Sequence, residues 1–139
     1  MSGVVDRLFV DEKDRALYDR LESADIFEGK TRKEQFLFAL AYALQRGVKR
    51  PVEKREGFFL AKDLHTEDRA LLSAVAAYSD DSLDVLADKA RVFRIAEEYA
   101  HAGIRMIVDE MESTQYGSFE KRLERDFYDR WKELALADD

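Results

Sequence analysis

The chain has 139 residues, a length that suits one compact domain, and it carries 23 Lys and Arg against 30 Asp and Glu, a formal net charge of -7 at pH 7. That balance excludes a protein that coats nucleic acid generally. The lack of cysteine excludes disulfides, thiolate metal sites and a cysteine nucleophile, and it fits a reducing cytoplasm.

In chain order, Val4 to Val10 (VVDRLFV) is β-branched and aromatic and too short for a useful helix, so it predicts a strand. Asp11 to Asp25 reads as a helix, with acidic residues first and Leu17, Leu21 and Ala24 at helical spacing. Glu28-Gly29-Lys30 turns into the most clearly delimited stretch, Thr31 to Gly47. There Thr31 and Glu34 have the spacing of a capping box and Gly47 suits a left-handed stop. Its body, from Phe36 to Leu44, is apolar on nearly every side, which predicts a central helix or a subunit contact. Val48 to Ala61 holds the only proline, Pro51, and reads as a connection with a short extended piece at its end.

Thr66 is expected to cap a third helix running to about Tyr78, with Leu71, Leu72, Val75, Ala76 and Tyr78 as its stripe. Ser79 to Ser82 breaks it, and Ser82 or Asp84 can cap the next helical run. From Leu83 to Glu112 the pattern is helical, but Gly103 costs a helix roughly 1 kcal/mol against alanine and predicts a stop or bend there. Ser118 can cap a last, amphipathic helix to about Leu136 with Phe119, Leu123, Phe127, Trp131 and Leu134 as its stripe. The expected fold is mainly α, with five to six helices and a short N-terminal strand. It forms a single domain over 1–139, with a strand-helix-helix part over 1–50 and a helical part over 51–139. No signal peptide is visible and no apolar run reaches the roughly 20 residues that span a bilayer, so a soluble cytoplasmic protein without membrane contact is expected.

Catalytic constellations are scarce. The six glycines are isolated, so neither a P-loop nor a dinucleotide fingerprint can be written. Glu98 and His101 have the Glu-x-x-His spacing of di-iron bundles, but those need two such motifs and further glutamates. His101 therefore reads as a partly exposed histidine near a helix end, and His65 as part of the cap of helix three. No enzyme activity, cofactor or metal is expected.

The charge distribution says more. From Glu28 to Glu56 eight basic residues face four acidic ones, so this segment is +4 and the rest of the chain is -11. A strand, a helix, a turn and a second helix with a basic start is also the order of a ribbon-helix-helix protein, which pairs its strand across a homodimer and sets a helix N-terminus on a DNA phosphate. The candidate DNA contacts are Arg7, Lys30, Thr31, Arg32 and Lys33, with Arg46, Lys49, Arg50, Lys54 and Arg55 as a second phosphate-binding stretch. Phe119, Phe127 and Trp131 on the last helix are the candidate protein-docking residues.

The segments IFEGKTRKEQFLFALAYALQRGVKRPV, LHTEDRALLSAVAA and DVLADKARVFRIAEEYAHAGI, spanning Ile26 to Ile104, resemble the family of dnd system-associated protein 4. The resemblance implies a non-catalytic accessory of a DNA phosphorothioate modification or restriction system, and it transfers no active-site residues. Two functions are expected within that role: contact with DNA phosphates through the basic helix N-terminus, as the charge pattern suggests, or docking on a larger modification or restriction subunit without direct DNA contact.

Overall fold

The structure is a computed structural model that describes residues 5–24, 27–113 and 116–137, with side chains of the last stretch described over 123–134. The fold is mainly α-helical with a short two-stranded antiparallel sheet that includes the N-terminal strand. The order is β1 (Arg7–Asp11), a 3-10 turn (Glu12–Asp14), α1 (Arg15–Ser23), α2 (Arg32–Arg46), β2 (Arg55–Leu60), a 3-10 turn (Ala61–Asp63), α3 (Thr66–Asp80), a 3-10 turn (Asp84–Ala87), α4 (Lys89–Ser113) and α5 (Tyr116–Ala137). The chain divides into two compact units, Met1–Ile107 and Val108–Asp139.

Helix α2 has the ends expected of it. The Glu34 N–H donates to Thr31 Oγ1 at 3.1 Å while the Thr31 N–H donates to Glu34 Oε1 at 2.9 Å. Two donors that the first turn would otherwise leave open are thereby satisfied. At the other end Gly47 adopts φ +69°, the left-handed position where a side chain is disfavoured. Between the caps Phe36, Ala39, Leu40 and Ala43 are buried at helical spacing, and Phe36 meets Phe59 of β2 edge to face, with ring centroids 5.3 Å apart.

Strand β1 pairs with β2, so its partner lies in the same chain; the extended piece expected before Ala61 is that partner. The register passes from Leu8 opposite Phe59 to Phe9 opposite Gly57, leaving Phe58 as a bulge residue. Regular alternation would send Phe58 and Phe59 to opposite faces. With the extra residue both are buried, Phe58 against Tyr18 of α1 at 4.6 Å between centroids and Phe59 against α2.

Several boundaries differ from the expectation. The helical run expected from Leu83 opens as the 3-10 turn Asp84–Ala87 and becomes α4 only at Lys89, and the last helix starts at Tyr116, ahead of the expected Ser118 cap. The helix after β1 opens as a 3-10 turn and ends at Ser23, ahead of Asp25, which lies outside the described residues. The cap of α3 is His65, one residue before Thr66, and its N–H donates to Asp68 Oδ2 at 2.8 Å. Helix α4 does not stop at Gly103. A Cβ on Gly103 would lie 1.8 Å from the Ala39 carbonyl oxygen, so the glycine is where the α4 backbone rests on the α2 backbone. The packing that this approach allows around Ile104 and Ile107, both fully buried, outweighs the local cost of glycine.

Two substitutions separate these glycine roles. Gly103→Ala should destabilise the fold by about 3 kcal/mol or more, because two helices must move apart. Gly47→Ala should cost only about 1 kcal/mol for the left-handed backbone, since a Cβ there meets nothing within 4 Å. Urea midpoints of the two variants check the difference.

Candidate functional site

The turn before α2 is tied down from several sides. The Lys30 N–H donates to the Phe27 carbonyl, and the buried Gln35 returns its Nε2 to the Lys30 carbonyl at 3.0 Å. A groove of about 880 Å³ opens beside this turn, lined by Arg32 and Lys33 of α2, Phe59 and Leu60 of β2, Lys62 and His65. Two of its cations are engaged by carboxylates. Arg32 pairs with Asp19 at 2.6 Å and Glu22 at 3.5 Å and lies over the Phe58 ring, while Lys33 donates to Asp68 at 2.9 Å in a half-buried pair. Burial opposes ionisation of Asp68, but the His65 N–H and Lys33 outweigh it and hold the carboxyl below its usual range.

The second basic stretch is similarly engaged. Lys49 donates to Ser79 at 2.7 Å and lies 4.0 Å from Glu98, Lys54 lies 3.4 Å from Glu12, and Arg46 stacks on Tyr42 at 3.6 Å. Arg55 grips Glu97 with two bonds, 3.0 and 3.1 Å long, and its guanidinium carbon lies 4.1 Å from the Phe9 ring centroid. Arg7 pairs with its neighbour Asp6. Lys30 and Arg50 are exposed and have no ion-pair partner among the described residues. The structure thus gathers Thr31, Arg32 and Lys33 at one groove and sets Arg7 and Arg55 around another, with Arg94, which sequence reasoning missed.

Also missed was the buried polar face of α4. Glu97, His101 and Arg105 follow at steps of four, so they stack on one side of the helix toward β1 and the turn after it. His101 Nδ1 donates to the buried Asp14 carboxylate, whose other oxygen accepts from Arg105 Nε at 3.2 Å. His101 is therefore a buried mid-helix residue, the partly exposed helix-end position being corrected by the continuity of α4. Its acidic partner is Asp14, while Glu98 faces Lys49. Asp14 binds two donors, and Glu97 binds Arg55 and, at 3.1 Å, the Phe9 N–H, which ties these carboxylates into the scaffold. Among the described residues no group of three or more His, Asp or Glu could hold a metal ion.

Tyr18 and Glu97 carry the strongest burial effects. The Tyr18 hydroxyl is buried without a hydrogen-bond partner among the described residues, and burial followed by the Asp14 charge raises its pKa well above the ordinary value against the pull of Arg32. Tyr18→Phe should therefore be neutral or stabilising by up to about 1 kcal/mol, read from thermal and urea midpoints.

Burial also pushes the Glu97 carboxyl up to about 7, against the opposing pull of Arg55, the Phe9 N–H and Arg94. In the unfolded chain the group ionises near pH 4.5. Between these values the folded state holds the proton and the unfolded state releases it, so this contribution weakens as pH rises. The stability of wild type relative to Glu97→Gln should accordingly fall by about 3 kcal/mol from about pH 4.5 to about pH 7.5. Paired urea titrations at the two pH values test this.

On α5, Phe127 is 64 % exposed and Trp131 65 % exposed, and Tyr128 and Leu134 are exposed beside them. Phe119 falls outside the residues whose side chains are described. No described helix is long and apolar enough to cross a membrane. The class defined by these observations is a mainly helical protein with a two-stranded ribbon, and no protein-family model, curated protein or solved structure matches the chain.

Proposed function

We propose that the chain is a non-catalytic accessory of a DNA phosphorothioate modification or restriction system, acting as an adaptor that docks on a larger subunit through α5. The choice of system rests on the resemblance of the three segments between Ile26 and Ile104. The docking mode is carried by one observation, the exposure of Phe127 and Trp131 on the same helix face. Large aromatic side chains left open to water are the usual anchors of protein interfaces. A cytoplasmic location follows from this reading. The two-chain ribbon is not carried into it, because β1 already pairs with β2 and its Phe9 N–H is held by Glu97.

The test is binding of the purified chain to the modification and restriction subunits of such a system. Replacing Phe127 and Trp131 by alanine should weaken that binding at least about thirtyfold, the loss expected of two interface anchors. Unchanged binding by the double variant would remove α5 as the docking face.

A second reading, direct contact with DNA phosphates, is favoured by the groove in which Arg32, Lys33 and Lys62 meet the first turn of α2. Helix N-terminal N–H groups suit an anion there. Replacing Lys30 and Lys62 by glutamate should then abolish duplex binding measured by anisotropy at low salt, and wild-type affinity should fall steeply as salt rises. No duplex binding at low salt sinks this reading.

A further inference from the structure

Resting on the adaptor reading, we infer that the segment seated on α5 is an amphipathic helix whose apolar stripe is flanked by lysine or arginine, and that it is not a second copy of this chain. At about 100° per residue, Leu123, Phe127, Trp131 and Leu134 fall within one stripe about 80° wide. Phe127, Trp131 and Leu134 are exposed and Leu123 is half-buried. The stripe is long enough to seat about three helical turns of a partner.

Charge on the borders of the stripe selects the occupant. Glu124 lies along one border; Asp126 and Glu133 lie along the other, where Arg130 is the only described cation. The cations Arg125 and Lys132 project from the far side, where Lys132 lies 5.7 Å from the Tyr128 ring centroid. Among the described residues, facing two α5 helices in either direction would bring three carboxylates per chain against the same set with one arginine each to offset them. Like charges flanking an apolar seam disfavour that pairing, and basic flanks on a partner relieve it. The same acidic borders disfavour an anionic membrane or a nucleic-acid backbone as occupant.

Trp131 is the only tryptophan in the chain, so its emission reports this face directly. The probes are two synthetic amphipathic helices with the same leucine stripe, one flanked by lysines and one by glutamates, titrated into the full chain. The lysine-flanked helix should shift Trp131 emission to the blue and bind about tenfold or more tightly than the glutamate-flanked one, weakening between about 50 mM and about 500 mM salt. The variant carrying Glu124→Lys, Asp126→Lys and Glu133→Lys alters exposed positions, and circular dichroism verifies its helix content. It should reverse the preference between the two peptides.

Equal affinity for both peptides, no response to either, or a wild-type dimer in sedimentation that Trp131→Ala dissolves would overturn the inference. The adaptor reading is separable: a system subunit that binds wild type and the triple variant equally but not the Phe127 and Trp131 double variant overturns only the charge selection. A subunit that binds all three equally overturns the docking face itself.

Discussion

The first compact unit depends on the contact of Gly103 with the Ala39 carbonyl. Where one helix backbone lies on another, neither can rotate about its axis without a clash, so this contact fixes the azimuth of both α2 and α4. With α2 so oriented, Phe36 reaches Phe59 and Lys33 reaches Asp68. With α4 so oriented, Glu97, His101 and Arg105 turn toward β1, the following turn and β2, where Phe9, Asp14 and Arg55 complete their bonds. A small residue at one position thereby sets the partners of several large ones.

The residues that announced themselves were those whose physics is local. Thr31, Glu34 and Gly47 act within their own helix, and the ends of α2 follow from them alone. The short strand, the long helical run after Leu83 and the final amphipathic helix were similarly legible from periodicity. Gly103 was not, because a glycine that breaks a helix and one that admits a second backbone have the same local signature; only Ala39, far away in sequence, distinguishes them. Strand β2 was legible only as an extended piece, since its charged start and the bulge at Phe58 blur the alternation by which a strand is recognised. The steps of four from Glu97 to Arg105 were present in the sequence, but the Glu98–His101 spacing drew attention to the neighbouring face.

The candidate site shows the same division between local and distant physics. The surplus of positive charge between Glu28 and Glu56 is a sum over neighbours in sequence, whereas ion pairing is decided by neighbours in space. Asp19, Glu22, Asp68, Glu98, Glu12 and Glu97, all outside that segment, supply the partners of Arg32, Lys33, Lys49, Lys54 and Arg55. The exposed pairs add little stability, while the buried Glu97 would be costly without its arginine. A basic stretch read as a surface for a ligand is, for the most part, a set of ties between elements. The exposed aromatic face of α5 was legible as a stripe but not as exposed, because a buried and an open amphipathic helix share one pattern.

The ties around β1 have a consequence for the order of events as the chain is synthesised. The Phe9 N–H meets Glu97 across a separation of 88 residues, and Asp14 meets His101 and Arg105 across 87 and 91. The strand can pair with β2 once Leu60 has emerged, but the bonds of the Phe9 N–H and of Asp14 wait until nearly the whole first unit is made. Helix α3 can form from local contacts in the interval, while the edge of β1 away from β2 waits without its bond to Glu97. Closure of such distant contacts is slow, and a strand waiting in that state is exposed to wrong partners until α4 is complete.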